Sequence, residues 1–463
     1  MRFIIYGLLL LLALYKDIRV IYLLFVFILF KEFHKKKKLT KDILLAAAIY
    51  SVILPDNYST ELFLILFFLG NLFFSKVKIS FSRDRYTLFT AIFIALALFT
   101  TIIHGVPIIN VFFSVISFIP FLIFLFTVRD VKGIEYKNII KYLNEVFWIE
   151  TLATVINFVF FYRLKIDDWS SGTFSKSGGQ QAQLFIIAAY MTFFYIALYK
   201  KNKDNKQLLK SIIMAIVAFS TNCWTLLLML VLGIFITYIT SLEKKRIAIL
   251  VIAIIMIPGF IRVSEKILPD KITNTINRML SDQEYFRYRF YKVQVYEDTF
   301  VNIPREDLDF LLIGNGVGYY NSRAALICTG RYVEFYEKYF KPSMSEYTKQ
   351  YIYGYLSLGF ESGGSDYGSI LARPYSAILA LMGECGYLGC ILFLFIIISL
   401  TRNRNIMFRM IINIWLSVCL MENYFEYSKI IIVLLACAIV IEHTRSVSEK
   451  DVYESQSVKG DQA

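Results

Sequence analysis

Residues 86–127 read YTLFTAIFIALALFTTIIHGVPIINVFFSVISFIPFLIFLFT. Two apolar runs, 86–104 and 109–127, flank a short loop, Gly105–Pro107, that carries no Lys or Arg. Arg83 and Arg85 precede the first run and Arg129 follows the second. A bilayer is crossed by about 20 apolar residues, within a range of about 17–25, so each run is a transmembrane span. Basic residues mark the cytoplasmic ends, and the pair therefore reads as a membrane hairpin whose uncharged loop faces outward.

The pattern repeats along the chain. Further apolar segments fall at 3–15, 18–33, 41–55, 60–75, 144–161, 182–199, 208–221, 223–240, 246–261, 373–400, 406–421 and 428–442. Lys16, Asp17 and Arg19 interrupt the first two, which read either as a hairpin or as one long tilted helix, giving fourteen spans or thirteen. Lys35–Lys38, Lys76/Lys78, Arg129/Lys132, Lys200/Lys201, Lys244/Lys245 and Arg402/Arg404 occupy alternate loops. The intervening short loops lack basic residues, so the first series is cytoplasmic. The expected fold class is all-α: a polytopic membrane protein with one large extracytoplasmic loop. It divides into N-terminal spans 1–261, the loop 262–372, C-terminal spans 373–442 and a polar, disordered cytoplasmic tail 443–463.

Composition agrees. Of 463 residues, 57% are hydrophobic and 18% charged, against roughly 45–50% and about 25% in soluble domains. This excludes a soluble enzyme, and it gives the net charge of +13 a source in cytoplasmic loops, with no nucleic-acid partner. The six cysteines are scattered without metal-site spacing, so neither zinc nor a disulfide framework is indicated. No cofactor is expected.

The loop 262–372 far exceeds the usual length of a structureless connection. Its fourteen tyrosines, and a balance of fourteen basic against fourteen acidic residues through Arg373, fit short helices lying on the membrane surface. Within it, Arg287 and Arg289 open an amphipathic stretch to Phe300. Arginine grips phosphate oxygens in a planar fork, so the stretch reads as an anion clamp or as a headgroup-binding face. Gly314-Asn-Gly316-Val-Gly318, followed by Tyr319 and Arg323, lacks the Lys-Ser/Thr of a nucleotide-binding loop. It is either a tight turn or a place where backbone approaches a ligand. Trp169 to Leu184, with Gly172 and Phe174, combines flat apolar faces with hydroxyls and amides. It suits a sugar, and equally a polar turn leading into a helix. Arg373 sits at the next membrane boundary, and Glu384 lies three turns deeper. A carboxylate inside the membrane is by default a functional or pairing site.

Together these motifs resemble the Wzy-type O-antigen and capsular polysaccharide polymerases, which share a superfamily with the O-antigen ligases. The likeness covers roughly residues 160–400. It rests on Ser-Gly-Thr-Phe at 171–174, the arginine-then-aromatic stretch 287–300, Gly-x-Gly-x-Gly at 314–318 and Gly-Glu-x-Gly-x-x-Gly at 383–389. The ligases carry a functional histidine near the end of the large loop. This loop has none, which favours a polymerase over a ligase; a lipid-linked oligosaccharide flippase is the non-enzymatic competitor.

The resemblance implies a glycosyltransferase of the bacterial inner membrane that needs no metal. Its substrate would be an undecaprenyl-pyrophosphate-linked oligosaccharide, with a chain-length regulator, a flippase and membrane lipid as partners. Arg287, Arg289, Arg323 and Arg373 are then expected at the pyrophosphate, and Asp366 and Glu361 as bases. Trp169, Gly172, Phe174, Gly316 and Tyr319 are expected at the glycan.

Overall fold

The computed structural model describes residues 2–37, 40–55, 57–75, 85–128, 135–161, 170–174, 180–221, 223–240, 281, 291–330, 334–354 and 376–460. Among these the regular structure is helical, without a strand. Among the described residues ten helices precede the large loop: α1 (Arg2–Tyr15), α2 (Val20–Lys36), α3 (Lys41–Tyr50), α4 (Asn57–Ser75), α5 (Arg85–Ile103), α6 (Ile108–Thr127), α7 (Tyr136–Ile156), α8 (Gln180–Asn202), α9 (Asn205–Ser220) and α10 (Trp224–Thr240). Three follow it: α11 (Ala377–Thr401), α12 (Ile406–Cys419) and α13 (Ser428–Gly460).

Every apolar segment of the sequence except 246–261, which lies outside the described residues, coincides with a helix. Among the described residues five helical segments are long and apolar enough to cross a membrane by length and composition: 85–103, 108–127, 136–160, 180–202 and 377–401. Shorter apolar helices cover 3–15, 59–70, 225–240 and 406–419. The first hairpin resolves into two helices, because Lys16–Arg19 breaks the run between α1 and α2. At the other end α13 continues to Gly460, through the polar tail expected to be disordered. Residues 446–459 contain neither Pro nor Gly, so nothing in the backbone stops a helix already started in the membrane.

The axis of the bundle is α13. From Ile430 to Ile441 every side chain but Ile439 is buried, and the helix packs against α3, α4, α6, α7, α8 and α12. A helix apolar on every side requires such a surround. The outer helices α1, α2, α5 and α6 instead expose Ile4, Leu8, Leu23, Leu98, Ile102 and Phe112. A continuous apolar surface of this kind is costly in water and ordinary in lipid. Polar contacts tie helices together inside, as where Asn413 Nδ2 donates to Thr237 Oγ1 at 2.9 Å between α12 and α10.

The large loop builds short helices, as its composition predicts. They cover Tyr291–Glu297, Ile303–Glu306, Leu308–Ile313, Arg323–Cys328 and Glu334–Tyr339, with π-helical turns at Asp298–Asn302 and Thr348–Tyr353. Val295, Ile303, Phe310, Tyr320, Leu326 and Ile352 form a small core of their own, which meets the membrane bundle at Leu379 of α11.

Candidate functional site

Two glycine motifs that stand 65 residues apart in sequence are docked on each other. Helix α11 is interrupted at Gly386, whose φ of +64° is not helical. The turn 314–318 enters that interruption. Asn315 N–H donates to Gly383 O at 2.8 Å, and Gly316 N–H donates to Glu384 O at 3.1 Å. The Glu384 carboxylate then accepts from the backbone N–H groups of Gly318 at 2.8 Å, Ser322 at 3.2 Å and Tyr320 at 3.4 Å. Asn110 of α6 donates to Gly318 O at 2.7 Å.

The glycines here answer a packing demand. Gly318 has φ +78°, and a Cβ there would lie 2.0 Å from Ser114 Oγ. Glu384 is a paired carboxylate, one of the two roles anticipated for an intramembrane carboxylate, and its partners are three backbone donors and the Ser322 side chain. Gly316 approaches Val106 and not an open cleft. Tyr319 is partly exposed, and its carbonyl accepts from Thr348 Oγ1 at 2.8 Å. Of the two readings of this segment, the tight turn describes its geometry.

Arg323 begins the helix Arg323–Cys328, which is capped by Ser322 Oγ accepting from Ala325 N–H at 3.2 Å. The arginine is only 8% exposed. Its backbone N–H donates to Glu426 Oε2 at 2.7 Å, its side-chain Nη1 to Glu426 O at 3.4 Å, and its guanidinium stacks over Tyr427 at 5.5 Å. Asn423 Nδ2 also donates to Glu426 Oε2, at 3.1 Å. Burial, and next the charge of Glu384, push the Glu426 carboxyl up to about 8, against the opposing pull of Arg323. Glu61 of α4 completes the cluster. It is buried, lies within electrostatic range of Arg323 and Glu426, and neither of its carboxylate oxygens has a hydrogen-bond partner among the described residues.

The segment 170–174 arrives beside this cluster from the other flank. Gly172 has φ +58°, and a Cβ there would lie 2.2 Å from Glu150 Oε2. Glycine lets Glu150 come close enough to accept from Thr173 N–H at 3.1 Å and Thr173 Oγ1 at 2.6 Å. Asn157 Nδ2 donates to Gly172 O at 3.0 Å. Phe174 is fully buried, with the ammonium of Lys429 4.3 Å from its ring centroid. Lys429 also donates to Leu54 O. The aromatic face read as a sugar platform therefore serves a protein cation.

Residues 423–429 link the two halves, with Glu426 and Tyr427 on Arg323 and Lys429 on Phe174. The sequence reading passed over them. The available signal was Glu422 and Glu426 among aromatics in a short loop between two spans, with Lys429 in the first turn of the second. Arg287, Arg289, Glu361, Asp366, Arg373 and Trp169 lie outside the described residues. Among the described residues no cluster of His, Cys, Asp and Glu could hold a metal ion. Searches of family models, curated proteins and solved structures return no match.

Proposed function

We propose that this chain is a membrane glycosyltransferase that polymerises lipid-pyrophosphate-linked oligosaccharide repeat units on the outer side of the bacterial inner membrane. The observation that carries the reading is the convergence of the 314–323 and 171–174 segments on residues 423–429, where Glu61, Arg323 and Glu426 form a buried mixed-charge cluster and Lys429 lies against Phe174 within electrostatic range of Glu150. Charges inside an apolar bundle are expensive and mark a function or a functional partner. They cluster at the end of the bundle from which the large loop emerges.

In this reading the anomeric carbon breaks its bond to the pyrophosphate and forms one to an acceptor hydroxyl. The leaving group needs fixed cations, and the hydroxyl needs a base within hydrogen-bond reach. Arg287, Arg289 and Arg373 supply the cations, together with Arg323, which is buried against Glu426. Asp366 and Glu361 remain the loop candidates for the base, and Glu61, with both oxygens unengaged, joins them.

Replacing Arg287 or Arg289 with Lys tests the reading. Lys keeps the charge but loses the planar fork, so polymer ladders should be lost at normal membrane levels of each variant. Full ladders from both Lys variants would remove the clamp. A second reading, a lipid-linked oligosaccharide flippase, draws on buried carboxylates such as Glu61, Glu150, Glu384 and Glu426 and buried cations such as Arg323 and Lys429. It predicts that no repeat unit reaches the outer face when the protein is absent.

A further inference from the structure

The opposite end of the bundle, rich in lysine, carries a recess of about 410 Å³ between α7 and α9. Lys137, Lys141, Asn144, Glu145 and Trp148 of α7 line it, with Lys210 of α9. On α7 these positions follow helical spacing and form one face. Lysines hold its outer end, and Trp148 lies about 16 Å deeper along the axis.

The cations differ in their engagement. Lys141 is paired with Glu32 of α2. Lys210 donates to Asn144 Oδ1 at 2.7 Å, and the Tyr195 hydroxyl fixes the same oxygen at 2.9 Å. The Lys210 ammonium rests over the rings of Tyr195 and Phe147, at 5.4 and 5.8 Å. It has no carboxylate within ion-pair distance among the described residues; Asp204 acts on it only from farther away. Lys137 is exposed. Glu145, the one acidic group lining the recess among the described residues, is buried and accepts from Tyr6 of α1 at 3.4 Å. Below the lysines the wall turns apolar, where Trp148 meets Phe3 edge to face at 5.3 Å and both rings are exposed.

We infer that this recess binds the phosphate of an anionic phospholipid headgroup through Lys137 and Lys210, with the lipid's glycerol and upper chains lying against Trp148 and Phe3. Ammonium groups above an exposed aromatic surface match a headgroup joined to acyl chains. A free anion would use only the upper half. Basic pockets between spans at the cytoplasmic interface hold anionic headgroups in this way, and tryptophan favours that depth. The assignment is independent of the glycosyltransferase reading.

Native mass spectrometry of the full-length protein, released from detergent with phosphatidylglycerol or phosphatidylcholine of identical chains, tests it. Phosphatidylglycerol should be retained in preference to phosphatidylcholine, and K137Q/K210Q should weaken its retention about 30-fold. The exposed single change K137Q, which leaves the Lys210–Asn144 and Lys141–Glu32 contacts intact, should show about a fivefold loss without altered unfolding temperature. Equal retention of the two lipids, or K137Q indistinguishable from the unmodified protein, would overturn the assignment. Displacement of the lipid by millimolar inorganic phosphate would replace it with a soluble-anion site.

Discussion

Glu384→Gln separates the two roles an intramembrane carboxylate can play. In the structure its two oxygens take three backbone N–H donors, from Gly318, Tyr320 and Ser322, beside a bond to the Ser322 side chain. An amide has the same shape but offers one oxygen and one NH2 group. Its better orientation keeps the oxygen on Tyr320 and Ser322 and turns the NH2 toward the Gly318 N–H, donor against donor. One bond to a charged acceptor is then lost, at a cost of about 1.5–3 kcal/mol. If the loss is confined to the docked turn, amide hydrogen exchange at Gly318, Tyr320 and Ser322 should accelerate roughly 10- to 150-fold. Hydrogen–deuterium exchange on peptides spanning 314–323, in nanodiscs, measures this directly. Glu384→Ala orphans all three donors and should also lower the unfolding temperature of the whole protein, since the loss of about 1–3 kcal/mol per donor approaches a domain's total stability. Glu384→Asp keeps the charge on a side chain one methylene shorter and should not restore protection. Unchanged exchange in Glu384→Gln, or full protection in Glu384→Asp, would refute the claim that this carboxylate is the clasp between the large loop and the bundle.

Three further outcomes follow from the same geometry. Gly172→Ala forces a Cβ onto Glu150 Oε2 at a φ of +58° and should cost about 2 kcal/mol or more, read as a lower unfolding temperature in detergent. The Glu426 carboxyl is raised in the folded state to about 8 from an unfolded 4.5, so its contribution to stability is fully present below the unfolded value and is lost as pH rises through the folded one. Stability should accordingly fall by up to about 1.4 kcal/mol per pH unit between about 5 and 8, a slope that Glu426→Gln should reduce; an identical slope in the variant would discount the effect. In a background lacking the six native cysteines, a cysteine at exposed Lys341 should react with a membrane-impermeant thiol reagent in intact spheroplasts, and one at exposed Asn202 should not. Labelling at Asn202 alone would invert the topology.

The helical architecture was legible because apolar runs of span length and the alternation of basic loops are one-dimensional signals. Lys16, Asp17 and Arg19 were visible as an interruption of the first run, but whether it divides two helices or bends one long helix was open in the sequence; the short helices of the large loop were legible in its tyrosine-rich, apolar composition. The site was legible only in part. Gly314–Gly318 and Gly383–Gly389 stand out as motifs, but that one docks into a break in the other at Gly386 is a tertiary fact. Glu384 was visible as an anomaly, yet three donors from residues some 60 positions away could not be inferred from its surroundings in sequence. Phe174 and Arg323 have the chemistry for sugar and phosphate, and the fold also gives them Lys429, Glu426 and Tyr427 as neighbours. Glu426 and Lys429 do not stand out because charges in a short loop, or in the first turn of the span that follows it, ordinarily face water, whereas here both are fully buried.

The most direct test of the proposed function is the surface-glycan banding pattern of a strain lacking this protein. The account predicts single repeat units on the cell surface and loss of the long-chain ladder, restored by the unmodified chain. An unaltered ladder in the deletion strain would contradict it. So would polymer accumulating on its lipid carrier without transfer, as a ligase predicts, or the absence of any repeat unit from the outer face, as a flippase predicts.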